Sequence, residues 1–262
     1  MAYEFIKFEV KDHVAYITLN NPQKKNPVPN PAKKELIRLF DICDFDDDIR
    51  LVVIRGAGGC FSAGGDLNAM RDRLERGERG TRYNCRLGSE MNLRLRNVKK
   101  PVIACIEGAI AGAGMSLALS CDFQIAAADT KCTLAFVNIG YVPDSGATWL
   151  VTKAVGQVRA TELFMSGKRF SGQQAADWGL FTEAVPPEQL EERLAKYIDK
   201  YSNGPTVAYG NIKTLINRCV YGDWSTGTYS EVELQGECEQ TEDFREAVFA
   251  FFEKRKPEFK GK

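Results

Sequence analysis

The stretch VIACIEGAIAGAGMSLALSC, residues 102–121, decides the architecture. It is nearly apolar, about the length of a membrane span, and sets Gly108 and Gly112 at the spacing by which membrane helices pair. Glu107 and the cluster Gly108, Gly112 and Gly114 defeat that reading, because a charge and helix-weakening residues fall in the same short segment. The spacing predicts instead a buried strand over 102–106, a glycine turn, and a buried helix from about Gly114.

The same pattern lies on either side. Leu51 to Ile54 is a short continuous apolar run that enters the glycine-rich segment 56–65, and an arginine-rich helical stretch, 67–95, follows it. Phe123 to Ala126 is another short strand, followed by a loop and a helix beginning near Asp144. Recurrent strand, turn and helix predict an α/β fold with parallel strands and crossover helices. Upstream, 5–10 and 14–19 alternate as two strands joined by Lys11 and Asp12, residues 20–31 form a proline-rich loop, and a helix from about Pro31 buries Leu36, Leu39, Phe40 and Cys43. From Pro187 on the pattern is almost wholly helical, ending in an aromatic stripe of Phe244, Val248, Phe251 and Phe252 that suits a core or a subunit interface.

In 262 residues, 35 Lys and Arg balance 35 Asp and Glu. That balance argues against nucleic-acid and membrane-surface partners, which call for a basic excess, and leaves small molecules and further copies of the chain. The single histidine, His13, sits at a strand start, too isolated for a triad or a His-based metal site, so no metal is expected. The eight cysteines are scattered without a CxxC pair, and no signal-like segment opens the chain. A cytoplasmic location is the expectation.

Two glycine turns carry candidate chemistry. Residues 60–67, CFSAGGDL, follow one buried strand and residues 107–114, EGAIAGAG, follow another. Small residues let backbone approach a ligand, and free N–H groups ahead of a helix favour negative charge; two of them converging on one oxygen make an oxyanion hole. Each turn also has a plain reading as a tight strand-to-helix connection, and neither matches a nucleotide-phosphate motif.

These segments, with 139–148 (IGYVPDSGAT), 175–180 (AADWGL) and 251–259 (FFEKRKPEF), resemble the crotonase, or enoyl-CoA hydratase/isomerase, superfamily over nearly the whole chain. The resemblance implies a crotonase-like spiral of ββα repeats, the fold shared with ClpP, over residues 1–200. It also implies a helical trimerisation region over 201–262, assembly as a trimer or hexamer, and a coenzyme A thioester as substrate, with no permanently bound cofactor. By position, the N–H groups of Ala63 and Ala113 resemble the pair that holds the thioester oxygen. Ala63, Asp66, Leu67 and Phe136 resemble residues lining the substrate site, and Lys24, Phe251 and Lys254 resemble contacts to the nucleotide end.

Hydratases of the family carry two glutamates where this sequence has Ser116 and Phe136, neither of which moves a proton at neutral pH. The remaining acid/base candidate is Asp144, at a position that resembles the aspartate of dienoyl-CoA and ring-epoxide phenylacetyl-CoA isomerases. The competing reading of Asp144 is a helix N-cap. An acyl-CoA isomerase is therefore the first expectation. A hydratase or hydrolase of a cyclic or aromatic acyl-CoA is the second, and a non-catalytic acyl-CoA-binding relative the third.

Overall fold

The computed structural model describes residues 3–78, 81–221, 240–243, 246, 250 and 253–262. β1 (Ile6–Lys11) and β2 (Val14–Leu19) pair as an antiparallel hairpin. Asp12 and His13 make its two-residue turn, both at positive φ (50° and 65°), as the twist of a tight hairpin requires. His13 Nδ1 donates to the Asp48 carbonyl at 2.9 Å, so the histidine ties the hairpin to the loop beyond the first helix.

That helix, α1 (Asn30–Phe45), has proline in its first turn and buries Ala32, Leu36, Leu39, Phe40 and Cys43 along one face. Lys33 is buried with them. β3 (Leu51–Gly56) lies parallel to β2. The arginine-rich stretch forms two helices, α2 (Leu67–Glu75) and α3 (Thr81–Asn97).

The apolar segment 102–121 forms β4 (Val102–Ile106), every residue of it buried, and then α4 (Gly112–Leu119). What looked like a bare turn between them holds a further short strand, β5 (Ala109–Ala111). β6 (Phe123–Ala127), β7 (Lys131–Thr133), α5 (Ala147–Ser166), β8 (Arg169–Ser171), α6 (Gly172–Asp177), β9 (Glu183–Val185), α7 (Leu190–Ser202) and α8 (Thr206–Tyr221) follow. α5 is kinked at Gly156, whose φ of 75° no helix interior accommodates.

The main sheet runs β1-β2-β3-β4-β6-β9, parallel apart from the first hairpin, and β5-β7-β8 form a second, smaller sheet. Alternate residues of the main sheet enter separate cores. Ile17, Val52, Ile54, Ala104 and Ile106 face the larger one with α1 and α4; Val14, Val53, Ile103, Cys105 and Ile125 face the smaller one with Leu190 and Leu194 of α7. Burial on both faces explains why these strands read as unbroken apolar runs. Neighbouring parallel strands β3 and β4 both end in glycine-rich turns on the same edge, where open parallel sheets place their ligands. Among the described residues no helix is long and apolar enough to cross a membrane. The stripe Phe244, Val248, Phe251 and Phe252 lies outside the described residues.

Candidate active site

Residues 61–64 run as a short extended piece between two partners. On one side Phe61 N donates to the Glu107 carbonyl at 3.0 Å and Ala111 N to the Ser62 carbonyl at 3.0 Å. On the other, Val28 N donates to the Gly64 carbonyl at 2.8 Å, and Ser62 Oγ to the Asn26 carbonyl at 2.7 Å. Buried Asn26 anchors the assembly, its Nδ2 donating to the carbonyls of Ala57 (2.8 Å) and Cys60 (2.7 Å). The contact between the two glycine turns depends on missing side chains. A Cβ on Gly114 would lie 2.7 Å from Ser62 Cβ, and one on Gly64 (φ 89°) 2.5 Å from the Ala111 carbonyl and 3.2 Å from Ala113 N.

This network corrects one expectation. The N–H of Ala63 donates to the Lys25 carbonyl at 2.7 Å and is therefore not available to a thioester oxygen. Gly65, two residues on, lines the cavity, and its N–H has no acceptor among the described residues. Ala113 is the second residue of α4, where a helix supplies no acceptor of its own, and it lines the same cavity. The available pair is Gly65 and Ala113, at the positive end of the α4 dipole.

The cavity they border measures about 320 Å³. Asp144 borders it too, in a turn that several bonds hold. Ser145 is at φ 55° and Gly146 at φ 82°; Asn92 Nδ2 donates to the Ser145 carbonyl at 2.8 Å, and Ser116 Oγ to the Asp144 carbonyl at 3.4 Å. A non-glycine residue held in the left-handed region beside a cavity is strain of the kind that functional turns store. The N-cap of α5 is Gly146, and no side chain caps it, so the Asp144 carboxylate is not consumed in capping. Its Oδ2 accepts a hydrogen bond from Cys85 Sγ at 3.3 Å, while Oδ1 is buried without a partner. Burial, and then the bond to Asp144, push the Cys85 thiol up to about 11. Lys33 Nζ, 3% exposed as a residue, donates to the carbonyl of Asn84 at 3.0 Å and to its Oδ1. Burial lowers the Lys33 pKa, and the negative charge of Asp144 works against that shift.

Of the residues singled out in the sequence, Ala63, Asp66, Leu67, Ala113, Phe136 and Asp144 line this one cavity. Asp66 also caps α2, Oδ1 accepting from the N–H groups of Asn68 (3.0 Å) and Ala69 (3.1 Å). Lys24 stands outside the lining, exposed, with Nζ 4.0 Å from Asp66 Oδ2. Lys254 is exposed and does not border the cavity, and Phe251 lies outside the described residues. Gly65, Lys33, Arg73 and Asn84 also line the cavity, and Cys85 meets Asp144, without having stood out as site residues in the sequence. Lys33 alone left a signal: it precedes Leu36, Phe40 and Cys43 by three, seven and ten residues, the spacing of the buried face of α1.

Backbone donors from two glycine turns and the carboxylate of Asp144 border one cavity, on the fold of the crotonase enzymes. The family model for enoyl-CoA hydratase/isomerase matches residues 9–262, and the chain belongs to that family. It is 34% identical over 263 residues to a trans-2-decenoyl-[acyl-carrier-protein] isomerase of Streptococcus mutans, covering 100% of both chains. It is 34% identical over 266 residues to a 1,2-epoxyphenylacetyl-CoA isomerase of Escherichia coli, covering 99% of both. Among solved structures, an enoyl-CoA hydratase of Bacillus anthracis superposes with a TM-score of 0.91 at 30% identity, over 99% of this chain and 100% of that one.

Proposed function

We propose that the protein shifts a carbon–carbon double bond in an enoyl-CoA thioester, with Asp144 carrying the proton and the N–H groups of Gly65 and Ala113 receiving the thioester oxygen. The observation that carries the reading is Asp144 Oδ1: a buried carboxylate oxygen without a partner, in the cavity those donors border. In a 3-enoyl thioester, Asp144 takes a proton from the carbon beside the carbonyl. The C–H electron pair enters a dienolate whose charge collects on the thioester oxygen. The two N–H groups meet that charge where it develops, and one such donor is worth about 3 kcal/mol. The protonated carboxyl then returns its proton to the carbon at the far end of the dienolate, giving the conjugated ester. One acid/base group serves both steps, which suits a site with Ser116 and Phe136 where hydratases carry glutamates. The names of the Streptococcus and Escherichia relatives point the same way.

Lys24, exposed beside Asp66, would meet the phosphates of the coenzyme. Lys254 and Phe251 would reach the nucleotide of a neighbouring copy in a trimer or hexamer joined through residues 201–262, with residues 1–200 forming the catalytic core.

The test is turnover of linear and cyclic enoyl-CoA esters in deuterated water, with Asp144→Asn in parallel. Isomerised ester is expected, bearing deuterium to the extent that the protonated Asp144 exchanges with solvent before returning its proton, with the rate falling ~100-fold or more in the variant, as loss of a general base predicts. Hydroxyacyl products, or an Asp144→Asn enzyme of undiminished rate, would overturn the assignment.

A further inference from the structure

Two cations, Lys33 and Arg73, border the cavity with the carboxylates Asp66 and Asp144. Lys33 comes from the buried face of α1, and a buried ammonium is tolerated only where acceptors surround it. Asn84 supplies two, its carbonyl and its Oδ1. That fixes the orientation of the amide, because an ammonium can only donate: Oδ1 faces Lys33 and the Nδ2 hydrogens face elsewhere. The third hydrogen of Lys33 has no acceptor among the described residues.

Arg73 of α2 borders the same cavity. Around it the charged segment is paired, Arg71 with Asp72 at 3.0 Å and Arg76 with Glu78 at 2.7 Å. Arg73, half-buried, makes no side-chain hydrogen bond or ion pair among the described residues. It lies close enough to Lys33 for its charge to add to the lowering of the Lys33 pKa. Asp144 offers the pair one negative charge, and Asp66 is engaged in capping α2 and in its approach to Lys24.

From this juxtaposition we infer that the acyl end of the cavity receives a second carboxylate: the substrate is the monothioester of an unsaturated dicarboxylic acid, its free carboxylate held by Lys33 and Arg73 with the Asn84 amide. A hydrocarbon tail would cover these donors and leave them unsatisfied, the costly arrangement for buried polar groups. A hydroxyl could occupy one or two donors but leaves the positive charge unmatched. A carboxylate brings about four acceptor sites and the missing charge, in the planar form that guanidinium binds best.

The inference rests on the thioester reading of the site, and its test separates the two. Glutaryl-CoA and valeryl-CoA have acyl chains of equal length, one ending in carboxylate and the other in methyl, and neither contains a double bond to move. Their dissociation constants are measured by calorimetry for the unaltered protein, Lys33→Met and Arg73→Gln. Glutaryl-CoA should bind tighter by about tenfold or more, as a charge-assisted hydrogen bond predicts, with the preference falling to about threefold or less in each variant. Should Lys33→Met fail to fold, Arg73→Gln on the largely exposed helix α2 carries the comparison. Equal binding of the two esters, or a preference that survives in both variants, would overturn the carboxylate site. In the turnover arm, a 3-hexenedioyl-CoA isomerised in preference to 3-hexenoyl-CoA supports both readings. A kept tenfold binding preference with no turnover of either ester supports the carboxylate site and sinks the isomerase.

Discussion

Raising the pH from 8 to 10 should remove a large part of the stability of this protein, and the buried thiols are the reason. Cys43, Cys105 and Cys132 are free, buried, and pushed up to about 12 from an ordinary 9.0, chiefly by burial that disfavours the thiolate. Cys121 is shifted in the same direction for the same reason. An unfolded chain releases these protons near pH 9 while the folded one retains them, so the unfolded state binds fewer protons and stability falls as pH rises towards 12. For a thiol raised from 9.0 to about 12, the free-energy difference between pH 8 and pH 10 is about 1.3 kcal/mol. Four such thiols give about 5 kcal/mol, comparable to the whole stability of a small domain. Lys33 acts in the opposite sense, because its lowered pKa lets stability recover as pH approaches 10.5. The assay is urea unfolding at the two pH values under argon with a non-thiol reductant, for the unaltered protein and Cys43→Ala. The variant should show a pH-dependent loss smaller by about 1.3 kcal/mol, whatever its stability at pH 8. Equal stability at both pH values, or a Cys43→Ala loss identical to that of the parent, would refute the reasoning.

Two substitutions test how the site is held. Asn26→Ala leaves the carbonyls of Ala57 and Cys60 without their donor and should cost about 2–4 kcal/mol in urea unfolding, with turnover falling as residues 62–65 lose their support. Ser116→Glu puts a hydratase-like carboxylate on a residue with no exposed surface; a Tm lower by several degrees is expected, with no hydroxyacyl product on chromatography of the ester.

The central strands and the two glycine turns were legible because each depends on local pattern. β3 and β4 declare themselves by unbroken apolar runs, and the turns by small residues at fixed distances from them. β5 was not legible: a strand of three residues holds its place by pairing with β7, twenty residues on, and Ala109–Ala111 has no pattern of its own. Ala63 was misread for a related reason. The sequence places it in the right turn, but whether its N–H is free depends on the Lys25 carbonyl, which the proline-rich loop brings from nearly forty residues upstream. Arg73 and Lys33 show the limit of composition. A chain with equal numbers of acidic and basic side chains still gathers two cations at one cavity, and no sum over the sequence reports that.

That local charge bears on how Asp144 works. Its Oδ2 is occupied by the Cys85 thiol, so in the proposed isomerisation a substrate proton would go to the free Oδ1. When it arrives, the negative charge leaves Asp144 and appears on the thioester oxygen, at the glycine turns. Were Asp144 the counter-charge of Lys33, each turnover would remove that charge from beside a buried ammonium, opposing the proton transfer. A carboxylate on the substrate removes that conflict. It neutralises the cations throughout the cycle and leaves Asp144 free to change charge at little electrostatic cost. By this argument the charged tail of the substrate acts on kcat as well as on binding, because an uncharged ester leaves the aspartate bound to a second task.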